Sequence, residues 1–378
     1  AYEIYQCDWS SDVCSSDLAS SRSASGAHPV ASISHSVPTI IAKILLSPRY
    51  NTPRTVSMSL KNIADFCRFV ILALFAAAFA GCGASAKVPA DAQPSPYAAP
   101  IISGKLGSAE LTEASGLAAS RCQSDVLWTH NDSGDDAFIF AMRPDGTALG
   151  TWKVTGATNI DWEDIASYKD PAGRCFIYIG EIGDNKRQRQ VHAIYRVPEP
   201  LVTPEASGTN RSKPLSTETA ESAKFSYPDH KQDAETLLVR PENGDIYVVT
   251  KRISGPAGVY KVVASFSDDN AHEAVQIAEI SVPAVPNGFV TGGDISPDGK
   301  KVVICDYVAA YEWTLPAAKS FDEIWKQVPV AIDIGQRKTG EAIAYSADGN
   351  TLFSTSEDRG APIYRIRSDE HTSELQSH

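Results

Sequence analysis

"GEAIAYSADGNTLFSTSED", residues 340–358, overlays "AETLLVRPENGDIYVVTKR", residues 234–252, glutamate on glutamate and, with a one-residue shift before the turn, Asp348-Gly349 on Asn243-Gly244. Each is an apolar run, a glycine turn and a second apolar run, which is the pattern of a β-hairpin. Both lead into a third apolar run, "APIYRIR" and "AGVYKVV". The same plan recurs in "WEDIASYKDPAGRCFIYIGEIGDN" (162–185), "TGGDISPDGKKVVICDY" (291–307) and "EASGLAASRCQSDVLWTHND" (113–132), giving five copies. A fourth apolar run usually follows, as in "LGTWKVTG" and "AVQIAEIS".

A four-stranded unit of about 40 to 50 residues repeated around an axis is a β-propeller blade. The expected fold is therefore all-β, a propeller of about five four-stranded blades. The last copy lacks its fourth strand, and "PIISGKLG" (100–107), ahead of the first copy, is placed to supply it and close the ring. Two architectures compete: six blades, with a degraded copy inside the Pro/Ser/Thr-rich excursion 200–222, and a β-sandwich.

"LWTHNDSGD", "DWEDIA", "GDN", "YRVPEP", "TGGDISPDG" and "GEAIAYSADG" together resemble a family of exported bacterial β-propeller proteins and lipoproteins, over residues 111–365. That resemblance implies the fold and export, and it implies no particular reaction.

The ends of the chain read differently from its body. "DWSSDVCSSDL" (8–18) resembles a translated sequencing adaptor, and "RSDEHTSELQSH" (367–378) its opposite strand, with Asp369 departing from the expected Glu. Residues 1–57 and 367–378 are accordingly set aside. Met58 opens an export signal over 58–81: Lys61 and Arg68 supply positive charge, and "FVILALFAAAFA" is an apolar core shorter than the ~20 residues a membrane span needs. "FAGC" resembles the bacterial lipoprotein box and makes Cys82 the expected lipidation site. Gly83 follows rather than aspartate, which points to the outer membrane of the cell envelope. Residues 82–100, rich in Ala, Pro and Ser, read as a flexible tether, and 101–366 as the propeller.

The chain carries a formal charge of -12. An acidic body disfavours nucleic acid and leaves the lipid anchor as the only expected membrane contact. In an exported protein Cys122 and Cys175 are expected to form a disulfide, with Cys305 a buried apolar residue.

The first strand of a propeller blade lines the central channel, so an acidic residue at each blade start projects toward the axis. The candidates are Glu113, Glu163 or Asp164, Glu235, Asp294 and Glu341. Like charges gathered in one channel must raise their pKa values or admit a cation. Oxygen donors from several strands suit Ca²⁺ better than Mg²⁺. Asp132, Asp184 and Asn185 could supplement the shell. The competing reading has these carboxylates accept backbone amides of the next blade, with Lys251, Arg252, Arg187 or Arg359 neutralising the rest. His130 in "WTHNDSGD" is the histidine best placed for chemistry, a polar turn residue being the competing account. The chain holds no GxSxG elbow, phosphate loop, HExxH or CxxC.

Two functional classes follow. The first is a lipid-anchored module that binds a small-molecule or protein ligand, with an axial divalent cation. The second is a calcium-dependent hydrolase of lactones or phosphoesters, in which the cation activates water and His130 serves as base. A surface glycan binder has no distinguishing sequence feature.

Overall fold

A computed structural model of the chain describes residues 95–229, 231–283 and 287–368. The export segment, Cys82 and the adaptor-like stretch 8–18 lie outside these residues, as does the second adaptor-like stretch from residue 369 onward. No helix among the described residues is long and apolar enough to cross a membrane.

The strands form five sheets, one for each sequence copy. Their innermost strands are Ala114–Ala119, Trp162–Lys169, Ala234–Val239, Gly292–Ile295 and Ala342–Tyr345. Each inner strand pairs antiparallel with the strand that follows it. Each also packs against the inner strands of the two adjacent sheets, in the closed order one to five and back to one. This ring of five sheets is a five-bladed β-propeller. Ile101–Lys105 pairs antiparallel with Pro362–Arg367, so the start of the body supplies the fourth strand of blade 5 and closes the ring.

The core follows from this arrangement. The buried apolar residues form five clusters, and each lies between two neighbouring blades. Trp128, Trp152 and Trp162 fill the wedge between blades 1 and 2, while Trp313, Trp325 and Phe321 belong to that between blades 3 and 4. Apolar side chains alternate along strands that are covered on both faces, and burying a large one contributes roughly 1.5–3 kcal/mol.

The excursion after blade 2's third strand is not a sixth blade. It contains the short 3₁₀ helix Pro204–Ala206, and Leu215–Ser216 then adds a parallel fifth strand to the edge of blade 1. Glu221–Ser226 returns as the fourth strand of blade 2. The folded body also begins before residue 101: Tyr97 is buried, donates its hydroxyl to Glu312 Oε2 at 2.5 Å and bridges Ser368. Cys122 and Cys175 are joined by a disulfide between blades 1 and 2, and Cys305 is buried and free.

Candidate metal centre at the channel mouth

Every inner strand starts on one face of the propeller, here the entry face, and ends at the hairpin turns of the opposite, exit face. The starts of blades 2 and 3 carry the same short string, Asp161-Trp162-Glu163 and Asp233-Ala234-Glu235. In both, the pairing to the second strand skips the glutamate: Trp162 and Asp164 have partners, as do Ala234 and Thr236, with a register shift between them. Glu163 and Glu235 are thus the extra residues of two β-bulges, which re-aim a side chain that regular alternation would send elsewhere.

One oxygen from each of Asp132, Asp161 and Glu163 lies within 4.8 Å of the others, and the same is true of Glu163, Asp233 and Glu235. Glu163 is common to both groups. Glu341 joins them electrostatically, since its carboxyl is raised by burial and then by Glu235. Glu163, Glu235 and Glu341 are all buried. Between them, blades 1 and 4 contribute neutral hydroxyls: Ser115 Oγ donates to the Glu163 carbonyl at 2.6 Å, and Thr291 Oγ1 to the Gly340 carbonyl at 2.8 Å.

The electrostatics of this mouth are one-sided. Burial, then Asp233 and Glu181, lift Asp161 to about 6. Burial, then Glu235, lift Asp233 to about 6. Glu163 and Asp132 are raised well above the ordinary carboxylate range by burial, with Glu235 next in each case. Lys251 faces them, its Nζ 2.8 Å from Glu235 Oε1, while Arg189 acts on Asp161 and Arg187 on Asp233. Burial works against the charge of Lys251, but Glu235, Glu341 and Glu163 together hold it protonated.

The residues fit a hard divalent cation. All the donors are carboxylate oxygens, supplied by several strands and loops, which suits the flexible six- to eight-oxygen shell of Ca²⁺. The space in front of them is kept clear by Gly183: a Cβ there would overlap Glu163 Oε1 and stand 2.6 Å from Asp161 Oδ2. The surrounding backbone is fixed. Glu181 accepts the amides of Ile160 and Asp161 at 2.8 and 3.1 Å, and Arg189 pairs with Glu181 at 2.6 Å. Asp233 Oδ1 accepts the amide of Asp184 at 2.8 Å.

Other candidates go elsewhere. Asp164 Oδ1 accepts its neighbour Ile165's amide at 2.8 Å and Oδ2 accepts Leu237's, in blade 3, at 2.9 Å. Asp294 repeats this between blades 4 and 5, accepting Ile295 at 2.7 Å and Tyr345 at 2.9 Å. Both are latches between blades, not members of the mouth groups, because their oxygens are consumed by backbone amides. Deeper in the channel Asp294 also meets Arg121, whose guanidinium reaches the Ile295 and Ser346 carbonyls. At the Asp164 latch, Gly116 lets blade 1 approach blade 2 closely, since a Cβ there would stand 2.5 Å from the Ile165 nitrogen and 2.8 Å from Asp164 Oδ1. Glu113 is partly exposed and falls outside both groups. Asp184 is turned into its own loop, accepting the amides of Gln188 and Arg189.

His130 is not at the mouth. It is fully buried within a strand, edge-on to Trp162 at 5.7 Å, with Nδ1 2.9 Å from the Asn131 carbonyl. Burial lowers its pKa to about 4, which keeps it neutral. Sequence reasoning overlooked Asp161 and Asp233. The Asp-x-Glu string shared by two blade starts was the signal that could have found them.

The fold and this cluster define a class: five-bladed propellers with an acidic, partly enclosed axial mouth. No protein-family model matches the chain, and no curated protein does either. Among solved structures it is similar to a gluconolactonase from Xanthomonas campestris, at 16% identity and a TM-score of 0.37, over 75% of this chain and 99% of that one.

Proposed function

We propose that this chain belongs to the exported bacterial propeller family it resembles and is lipid-anchored at the outer membrane. In this reading it holds Ca²⁺ at the entry mouth and binds a small-molecule or protein ligand there. The observation that supports it is the pair of carboxylate groups meeting at Glu163, faced by the ammonium of Lys251. Asp132, Asp161, Glu163, Asp233 and Glu235 would hold the cation, which when bound supplies a Lewis-acidic centre for oxygen ligands. Asp132 and Asp161 are partly exposed, so a ligand approaching from the entry face meets this side of the cluster first.

The hydrolytic alternative has one observation in its favour. Asp161 combines partial exposure with a pKa of about 6, so a carboxylate, in place of the enclosed His130, is available as a base. The test is a thermal-unfolding screen of the full chain against Ca²⁺, Mg²⁺ and chelator, followed by turnover assays with lactones and phosphoesters. Chelator-sensitive stability without turnover is the expected result. Turnover lost in Asp161→Asn would favour the hydrolase, and indifference to both metals would overturn the cation reading.

A further inference from the structure

On the exit face, away from the acidic mouth, a cleft of about 620 Å³ opens between blades 2 and 3. Its size falls within the roughly 300–1,000 Å³ of small-molecule sites. One wall is the end of blade 2, with Tyr168, Phe176, Tyr178 and Arg196, and the other is the Asn243-Gly244 turn and Phe266 of blade 3. The third side exists because of the long excursion. That segment packs its Leu215–Ser216 strand on blade 1 and returns through Glu218 and Thr219, which border the cleft instead of filling it.

The floor is a planar charged group held between rings. The Arg196 guanidinium lies 4.0 Å from the Phe266 ring centroid and 5.3 Å from that of Phe176. Glu221 Oε2 fixes it through Nε at 2.9 Å and Nη2 at 2.6 Å. Arg174, the other guanidinium, is paired with Asp170 at 2.7 Å. Both cations are therefore matched by carboxylates before any ligand arrives, which removes the attraction for a phosphate or a carboxylate. What remains is a fixed set of N–H donors, carboxylate lone pairs and partly exposed aromatic rings. Glu218, Thr219 and Asn243 are exposed beside them. The Cys122–Cys175 bridge anchors the wall, since Cys175 stands between Arg174 and Phe176.

We propose that this cleft is a second binding site, for a neutral oligosaccharide. Sugar hydroxyls pair with the donors and acceptors of already compensated Arg–carboxylate groups, while the apolar ring face packs against the partly exposed parts of Phe176 and Phe266 that the guanidinium leaves uncovered. The site needs no metal, because none of the mouth carboxylates lines it.

The test is isothermal titration of the full chain with maltotriose, cellotriose, mannotriose and chitotriose, with trigalacturonate as the charged control. At least one neutral probe binds, in preference to trigalacturonate and equally with and without chelator. Phe266→Ala weakens that binding by about fivefold or more, as expected for loss of a packed aromatic ring. Thr219→Trp, at an exposed position, obstructs the cleft and abolishes binding, which keeps the test intact if Phe266→Ala unfolds. The proposal is overturned if no neutral probe binds, if chelator abolishes binding, or if folded Thr219→Trp binds as the wild type does.

Discussion

Lys251 Nζ lies 2.8 Å from Glu235 Oε1, in a mouth where Glu163 and Glu341 also act on the same ammonium. The pair is almost enclosed, with side-chain exposures of 13% and 2%. In the absence of a divalent cation this lysine is the principal compensation for the cluster. Lys251→Met should therefore cost the calcium-free protein about 3–5 kcal/mol, the range for removing one partner of a buried pair. Added Ca²⁺ should recover more stability in the variant than in the wild type. Urea unfolding with and without Ca²⁺ measures both quantities, and an equal calcium effect in the two proteins would count against the shared site.

The Asp164 and Asp294 latches predict a different behaviour. Asp164→Ala removes the acceptor of the buried Leu237 amide across the blade boundary. The expected loss is about 1–3 kcal/mol, the cost of leaving a buried donor unsatisfied. Asp164→Asn retains a carbonyl oxygen and should lose less. Calcium affinity should stay within about twofold in both, since Asp164 belongs to neither mouth group.

Cation binding should weaken as pH falls. Asp161 and Asp233 are raised to about 6 in the cation-free protein, so both are mainly ionised at pH 7 and mainly protonated at pH 5. The sign follows: protons compete with the cation below pH 6, by about tenfold per group per unit. The buried histidines do not share in this window, because His130 and His192 are lowered to about 4 and stay neutral through it. Calorimetric titrations at pH 5, 6 and 7 measure the trend. A flat profile would remove Asp161 and Asp233 from the shell.

The Cys122–Cys175 bridge closes a loop with a sequence separation of 53. In the chain-entropy account a loop of that length stabilises the fold by about 4 kcal/mol. Cys122→Ser with Cys175→Ser should lower the unfolding midpoint accordingly. The mouth lies on the opposite face, so calcium affinity should be unchanged, a result that titration of the double variant checks.

The architecture was legible in the sequence because the repeat is carried by hairpin turns, which short-range chemistry specifies. Asn243-Gly244 and Asp348-Gly349 take positive φ at the glycine, and Ile101–Lys105 closes the ring where the missing strand called for it. The site was legible only in part. Glu163, Glu235 and Glu341 follow from the rule that blade starts face the axis. Asp164 and Asp294 obey the same rule, yet they satisfy backbone amides of the next blade, a long-range contact that no local pattern encodes. The bulges that aim Glu163 and Glu235 are equally silent in sequence, since a skipped pairing partner leaves no compositional trace. His130 sits in a polar string, but its strand turns it beneath Trp162.

Calorimetric titration of Ca²⁺ into chelator-treated wild type and Glu163→Gln decides whether the carboxylates meeting at Glu163 hold a divalent cation. Stoichiometric binding in the wild type, weakened at least about tenfold in a Glu163→Gln protein that still folds, is the predicted result. Absence of binding in the wild type, or equal binding in both, would contradict it.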